Sequence, residues 1–248
     1  MQFDKIVSKR KDRIVYKNGE DCIKVFDEKY SKVIVLSEAL NQARVEATGL
    51  NIPHVKGVYN IEGKWAIVSD FIEGQSIETL MREIPEEKDK LLDKFIDVQM
   101  NIHSKRDQYL TKLTDKVNRK INAFEGENDT KLELYTRLES MPRYTNVLHG
   151  DLDPSNVIIT EDNEIYILDW SHVTQGNPAH DVARTYLLFL IKNQKELGDK
   201  YLARFCEKSG LEKNQILRWM PLVATAQALN GKQDEWEILK YWIDQIND

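Results

Sequence analysis

The stretch that decides the fold runs from His149 to Asn156 and reads HGDLDPSN. It presents Asp151 and Asn156, five residues apart, on a loop that precedes a strand-like segment. Thirteen residues after Asn156, the tetrapeptide ILDW carries another acid, Asp169. Three side chains with oxygen atoms therefore lie at the two ends of one short piece of chain.

The segment between Asn156 and Asp169 is predicted to be a β-hairpin. Residues 157–160 and 164–168 are strand-like, and the turn residues Glu, Asp and Asn separate them. Pairing of these strands would bring Asp169 back beside the loop. Asn156 and Asp169 would then offer the hard oxygen ligands that Mg²⁺ takes alongside phosphate and water, and Asp151 remains to accept a proton or orient a hydroxyl.

The residues before and after this region predict an α+β fold. An Asn-Gly turn at 18–19 and a Glu-Gly turn at 62–63 indicate two hairpins in the first 72 residues. The strands are predicted at 13–16, 21–26, 56–61 and 64–72, with a helix at 31–48 that Gly49 ends. Helices are then predicted at about 76–84, 88–103, 111–122 and 130–140, and from 178 to the end.

This order of elements predicts two lobes. Residues 1–72 would form a small N-lobe with a mixed β-sheet, and residues 73–248 a larger, mainly helical C-lobe that contains the hairpin. The N-lobe is expected to bind nucleotide, and the C-lobe to hold the catalytic loop and the acceptor.

Composition excludes several classes of function. Acidic residues outnumber basic ones, 41 to 35, and the net charge of −6 gives no general attraction to nucleic acid or anionic membranes. The longest apolar runs are about six residues, whereas a membrane helix needs about 20. The N-terminus has no apolar stretch typical of a signal peptide. With only Cys22 and Cys206, no disulfide framework is expected, and we predict a reduced, cytoplasmic protein without nucleic-acid or membrane partners.

The combination HGDxxxxN, hairpin and DW resembles the aminoglycoside phosphotransferase and choline kinase-like family over nearly the whole chain. Phe71-Ile-Glu-Gly74 and Asn177-Pro-Ala-His-Asp181 support the likeness. The resemblance implies a two-lobed protein-kinase-like fold. It also implies a phosphotransferase that moves the γ-phosphate of ATP or GTP, with Mg²⁺, to a hydroxyl of a small molecule.

The resemblance also implies roles for individual residues. Asp151 would be the catalytic base, and Asn156 and Asp169 would be the Mg²⁺ ligands. His149 would support the catalytic loop, and Asp181 would hold that loop by hydrogen bonds to its backbone. The structural alternatives are a turn or capping role for Asp151 and a helix N-cap for Asp181.

The N-lobe needs a cation for the phosphates and a carboxylate to hold that cation. Lys24, between Ile and Val in a strand, is the candidate cation. Glu38 and Glu46 both lie on the following helix, and Glu38 is preferred because it stands where the family carries its paired acid.

Further nucleotide contacts follow from strand alternation and from the predicted hinge. Cys22 shares a face with Lys24 and is expected near the adenine. Ser69 and Phe71 lie in the hinge, which would supply backbone hydrogen bonds to the base, and the Phe71 ring would line the slot. No GxGxxG loop is present, and the basic run Lys9–Arg13 stands in its place, either as a cover for the triphosphate or as a solvated turn.

The acceptor is less well defined by the sequence. The last 22 residues carry five acids, two lysines and two tryptophans, which would suit an amine, amino-sugar or aminoglycoside-like acceptor. A C-terminal helix with a packed aromatic face and a solvated acidic face is the structural alternative. A protein-directed kinase is disfavoured by the ten residues that separate Trp170 from Asp181. A non-catalytic nucleotide-binding pseudokinase is disfavoured by the complete set of catalytic residue types.

Overall fold

The computed structural model describes residues 4–10 and 12–247. Lys11 of the basic run and Asp248 of the acidic C-terminus lie outside the described residues. The chain forms two compact units. The first comprises the chain up to Lys88 together with Pro154–His172, and the second comprises Asp89–Asp153 and the chain from Val173 onward.

The helices and strands have the following bounds. The strands are β1 (Lys5–Lys9), β2 (Arg13–Asn18), β3 (Asp21–Phe26), β4 (Val55–Ile61), β5 (Lys64–Asp70), β6 (Gln75–Ser76), β7 (Asn146–Leu148), β8 (Val157–Ile159), β9 (Ile165–Ile167) and β10 (Thr174–Gly176). The helices are α1 (Lys32–Glu46), α2 (Ile77–Glu83), α3 (Lys88–Ser104), α4 (Leu113–Ala123), α5 (Asn128–Ser140), α6 (Pro178–Ile191), α7 (Lys195–Ser209), α8 (Lys213–Leu217), α9 (Met220–Ala228) and α10 (Trp236–Asp244).

The first unit is built on a five-stranded sheet in the order β1-β2-β3-β5-β4. Every pairing in it is antiparallel, so the predicted mixed sheet is wrong in this detail. For β2–β3 and β4–β5 the reason is local, because both predicted hairpins form and tight turns can join only antiparallel strands. In the β4–β5 turn, Glu62 and Gly63 both have positive φ, 50° and 87°, as a type I′ turn requires.

Helix α1 packs on this sheet. Ser31 caps its N-terminus, and Val35 and Ala39 are buried with Phe26 and Ile67 in one apolar cluster. The leucines of the predicted helix are on the other side and remain exposed at Leu36 and Leu40. The predicted helix therefore forms, and its smaller apolar side chains make up its buried face.

The predicted hairpin forms as β8 and β9 and belongs to the first unit. The short strand β6 adds to it, which gives a three-stranded antiparallel sheet in the order β6-β8-β9. Ser76 then caps α2 by accepting a hydrogen bond from the amide of Thr79 at 3.1 Å. The compact units are thus not two continuous stretches of chain, and the predicted functional lobes, 1–72 and 73–248, stay a prediction.

The second unit is mainly helical, as the sequence predicted. Its one described sheet is the pair β7–β10, in which Leu148 pairs with Thr174 and Asn146 pairs with Gly176. Neither strand was predicted, because three residues are too few to show a period. Strand β7 leads directly into His149, and β10 leads into the Asn177 cap of α6. This small sheet therefore sets where the loop after β7 and the helix α6 begin.

Gly74 allows the chain to pair with the hairpin, and we predict that Gly74→Ala destabilises the first unit. Its φ is 156°, and an added Cβ would lie 2.7 Å from the Ile158 side chain and collide with the Ile159 carbonyl. The cost should be about 3 kcal/mol, from backbone strain and overpacking. Gly63→Ala is the matched control, since it adds strain at φ 87° with nothing within 4 Å, and should cost about 1 kcal/mol. Urea unfolding measures both, and equal losses would contradict the contact argument.

Candidate functional site

The first unit contains a cavity of about 400 Å³. One face of the five-stranded sheet lines it, together with α1, the chain after β5, and the hairpin β8–β9. Its walls include seven residues that the sequence proposed for nucleotide or metal binding. They are Cys22, Lys24, Glu38, Ser69, Phe71, Asn156 and Asp169.

Lys24 is the centre of the charged end of this cavity. Its Nζ donates to Glu38 Oε1 at 2.5 Å and to Asp169 Oδ1 at 3.1 Å. The three side chains are only 12–19% exposed. Burial alone would raise the pKa of Asp169, but the positive charges of Lys24 and Arg13 and a hydrogen bond from Ser171 hold it well below its usual range. Asp169 is therefore a carboxylate at neutral pH.

Glu38, rather than Glu46, is the carboxylate that pairs with Lys24. Glu46 instead accepts a hydrogen bond from the amide of Val55 at 2.7 Å and lies 3.4 Å from His54 Nδ1. Eight residues separate the two acids, which is more than two helical turns, so only one can reach the middle of β3.

The hairpin brings Asn156 and Asp169 to the same cavity. Beside the first pair of the hairpin, Val157 with Ile167, the amide of Leu168 donates to the Asn156 carbonyl at 2.8 Å. Asp169 then has a φ of 62°, a left-handed conformation that aspartate tolerates better than most residues. The backbone turns sharply there and directs the Asp169 carboxylate toward Lys24.

Cys22 and Ser69 lie opposite each other on β3 and β5. Burial raises the pKa of the Cys22 thiol, while Lys24 and a hydrogen bond with Ser69 lower it in part. Cys22 is therefore a neutral thiol in the cavity wall. Its position on the face of Lys24 follows the predicted alternation.

Phe71 lines the cavity, and its backbone amide is engaged in the sheet. Its amide donates to the Glu20 carbonyl at 2.8 Å, because the chain continues the sheet register beyond β5. Any hinge contact to a base would therefore come from other backbone groups of this segment. The Phe71 ring lies 4.7 Å from Lys17 Nζ, which keeps it beside the sheet.

In the second unit, Asp181 is fully buried and binds the loop after β7. It accepts hydrogen bonds from the amides of Gly150 at 2.7 Å and His149 at 3.3 Å, and from His103 Nε2 at 2.9 Å. Burial alone would raise the pKa of Asp181, but the hydrogen bonds from His103 and from the Gly150 amide hold it well below its usual range. The N-cap of α6 is Asn177 rather than Asp181.

Asp151 has a partner that sequence reasoning missed. Its Oδ1 accepts a hydrogen bond from Arg184 Nη2 at 2.8 Å. Arg184 and Thr185 follow Asp181 by three and four residues and so lie on the same side of α6. Thr185 Oγ1 donates to the Leu152 carbonyl at 2.9 Å, so one face of one helix holds the whole loop. The i+3 spacing places Arg184 on the same face of α6 as Asp181, but it does not by itself show that Arg184 contacts Asp151.

Arg184 is itself held by a buried polar group. Its Nη1 donates to Gln227 Oε1 at 2.8 Å, and Gln227 Nε2 donates to the buried carboxylate of Glu235 at 2.5 Å. Lys232 also pairs with Glu235, with 2.9 Å between Lys232 Nζ and Glu235 Oε1. The Arg184 guanidinium beside Asp151 is thus held in place by its contact with Gln227 on α9, and Gln227 is held by Glu235.

Comparison with known proteins assigns the chain to a family. The model of the phosphotransferase enzyme family, APH, matches residues 37–217. The chain belongs to this family. The family resemblance, the phosphotransferase class and the small-molecule kinase activity expected from the sequence are thereby confirmed. No match to the chain was found among curated protein sequences.

Solved structures of phosphotransferases share the fold. One is a thermostable mutant of aminoglycoside phosphotransferase APH(4)-Ia in a ternary complex with ADP and hygromycin B, with a TM-score of 0.70 and 15% identity over 98% of this chain and 92% of that one. Another is the choline kinase LicA from Streptococcus pneumoniae, with a TM-score of 0.64 and 15% identity over 99% and 94%. The predicted kinase-like α+β fold is confirmed.

The C-terminal segment of this phosphotransferase is largely engaged in structural contacts. Glu235 is buried beside Gln227 and Lys232, and Asp244 pairs with Lys240 at 2.5 Å. Trp242 packs against Tyr186 and Tyr241, with ring centroids 6.4 and 5.1 Å apart. The packed Trp242 agrees with the predicted structural alternative, whereas the buried Glu235 and the exposed Trp236 and Tyr241 depart from it. In the described part of the chain, no helix is long and apolar enough to cross a membrane.

We predict that Asp181→Asn destabilises this phosphotransferase in a pH-dependent way. At pH 7 the loss should be about 2–4 kcal/mol, since a buried carboxylate that accepts hydrogen bonds from an imidazole and two amides is neutralised. The folded pKa of Asp181 lies below its unfolded value of about 3.9. Its ionisation therefore adds stability above that value and loses it as the pH falls further.

The measurement is urea unfolding of both proteins at pH 7, 5 and 3.5. The difference should be constant from pH 7 to 5 and shrink at 3.5. Asp97→Asn, an exposed acid of the same unit, is the control and should change little. A difference that persists unchanged at pH 3.5 would contradict an ionised Asp181.

Proposed function

We propose that this phosphotransferase transfers the γ-phosphate of ATP or GTP to a hydroxyl of a small molecule in a Mg²⁺-dependent reaction. One observation carries the proposal: Lys24, Glu38, Asn156 and Asp169 converge on one cavity in a chain of this family. Two structural relatives support a nucleotide and a small acceptor, since one was solved with ADP and hygromycin B and another with AMP.

The cavity suits a nucleotide because its ends differ chemically. Its wall includes Ile72, Ile158 and Leu168 as well as Phe71, and we infer that these side chains form an apolar end. This end would hold the base, since flat heterocycles bind between apolar side chains. The other end carries the Lys24 ammonium, which would contact the phosphates while Glu38 keeps it in place.

The residues of this cavity also fit a magnesium ion. Asn156 and Asp169 provide an amide and an ionised carboxylate oxygen in one wall, and Mg²⁺ prefers few protein oxygens together with phosphate and water. The ion would neutralise charge on the phosphates during transfer. Asp169 already attracts two cationic side chains, which supports its role as a cation ligand.

Asp151 would orient the acceptor hydroxyl and accept its proton. His149 supports it, because the Asp151 amide donates to His149 Nδ1 at 3.3 Å. Arg184 would fix the direction of the carboxylate through its 2.8 Å hydrogen bond, so that one oxygen is held and the other is directed by the loop. Positioning of this kind is most of what a phosphoryl-transfer enzyme supplies.

An amine, amino-sugar or aminoglycoside-like acceptor stays a prediction. The C-terminal carboxylates that suggested it are in part paired with lysines, and the cation next to Asp151 is Arg184. Lys116 adds positive charge nearby, and burial, Lys120 and Arg184 lower its pKa to about 8. We therefore propose a hydroxyl-bearing small molecule as the acceptor class, with cationic and neutral members both to be tested.

The test is phosphate transfer from ATP by purified wild type and Asp151→Asn. The acceptor panel contains amines, neutral sugars, amino-sugars, choline and aminoglycosides. An acceptor consumed only by wild type supports the proposal and names the class. Loss of affinity for that acceptor at raised salt would indicate a cationic one, whereas no salt dependence would indicate a neutral one. Consumption of ATP by Asp151→Asn at the wild-type rate would contradict the role of Asp151.

Substitutions of two carboxylates should separate the rate of phosphate transfer from the affinity for nucleotide. Asp151→Ala is expected to lower kcat by about 10²–10⁴ while the Kd for ATP stays unchanged. Asp169→Ala is expected to abolish Mg²⁺-dependent nucleotide binding. Asp162→Ala, in the exposed hairpin turn, is the control and should behave as wild type. Calorimetry gives the Kd and a coupled assay gives kcat, and wild-type turnover by both variants would refute the site.

Cys22 should report nucleotide binding directly. Burial raises its pKa, so alkylation by iodoacetamide should be slow. MgATP at ten times its Kd should slow it about tenfold further, because only the free protein exposes the thiol. Cys206 is half-buried with a pKa that burial also raises, and its rate should not respond to nucleotide. Mass spectrometry measures both rates, and equal labelling of Cys22 with and without MgATP would place the nucleotide elsewhere.

A further inference from the structure

The register of the five-stranded sheet gives an order to the residues in the cavity wall. Ser69 and Cys22 form the row nearest the chain that follows β5. The next row on the same face is formed by Ile67 on β5, Lys24 on β3 and Val15 on β2. Because strands rise about 3.4 Å per residue, this row lies about 7 Å from the first.

Arg13 occupies the row beyond Lys24. It precedes Val15 by two residues on β2 and pairs with Phe26, so it lies about 7 Å further from the Ser69 row. Arg13 and Val15 both line the cavity, as alternation on one strand requires. A nucleotide with its base near Ser69 and its first phosphates at Lys24 would therefore place its terminal phosphates toward Arg13.

The charges at this end of the cavity support that placement. The Arg13 guanidinium lies 3.8 Å from Asp169 Oδ2, while Lys24 contacts the other oxygen of the same carboxylate. Arg13 and Asp169 are 18% and 19% exposed. Two cations thus face two acids, Asp169 and Glu38. If a magnesium ion binds the Asp169 carboxylate, the positive charge of Arg13 is no longer balanced by that carboxylate. It then lies beside the position of the phosphates.

We propose that Arg13 binds the terminal phosphates of the nucleotide, in place of the glycine-rich loop that this sequence lacks. The inference rests on the proposed function. A guanidinium presents a planar pair of donors that matches two phosphate oxygens, so one side chain does the work that backbone amides do in a glycine-rich loop. Without nucleotide, the same guanidinium balances the Asp169 carboxylate. Within the basic run, Arg13 is then the phosphate ligand.

The test compares wild type, Arg13→Ala and Arg13→Lys for binding of ATP, ADP and AMP by calorimetry with Mg²⁺. Arg13→Ala should weaken ATP about 10- to 100-fold, the range of a charged hydrogen bond to phosphate, and leave AMP unchanged. Arg13→Lys should give an intermediate ATP affinity, because it keeps the charge and loses the paired donors. Arg82→Ala is the control, an exposed arginine of the same unit.

The outcomes separate this inference from the proposed function. Wild-type ATP affinity in Arg13→Ala would overturn it while leaving the proposed function intact. Equal losses for ATP and AMP would also overturn it, since they would mean that Arg13 supports the cavity and not the phosphates. A wild-type protein that binds none of the three nucleotides would overturn the proposed function, and this inference with it.

Discussion

The ammonium group of Lys24 lies between the carboxylates of Glu38 and Asp169, and the chemistry of the first unit depends on this arrangement. A largely buried charge without a partner is costly, so each of the three side chains needs the others. They come from β3, α1 and the end of the hairpin, and their pairing fixes these elements around one cavity. The same charges make that cavity suitable for phosphate and for a cation.

The second unit uses a buried carboxylate in a similar way. Asp181 has no exposed surface and must find donors within the protein. The amides of His149 and Gly150 and the imidazole of His103 supply them, and the loop after β7 is thereby shaped. Three positions on one face of α6 then bind successive parts of that loop. The position of Asp151 is consequently set by the helix as much as by its own segment.

Much of this fold could be predicted from local signals. Residues close together in the sequence indicate the Asn-Gly and Glu-Gly turns, the cap at Ser76 and the helical periods. The corresponding elements form in the structure. Strand β1 was missed because it is mostly exposed and shows no alternation, and β7 and β10 because they are too short. The preference for Glu38 over Glu46 rested on the family resemblance, since their separation on the helix shows only that one of them can reach Lys24. The packing of α1 on β3 makes that acid Glu38.

By itself, the sequence determined the spacing of Asp151, Asn156 and Asp169, since a hairpin of fixed length must return its end to its beginning. It also indicated that Lys24 and Cys22 share a strand face. Only the tertiary structure decided which cations meet which carboxylates. Lys24 and Asp169 are 145 positions apart, and Arg184 is 33 positions from Asp151. The physical reason is that such contacts depend on how whole elements pack and on the need to neutralise buried charge. Neither the packing nor the charge balance can be inferred from a local pattern of residues.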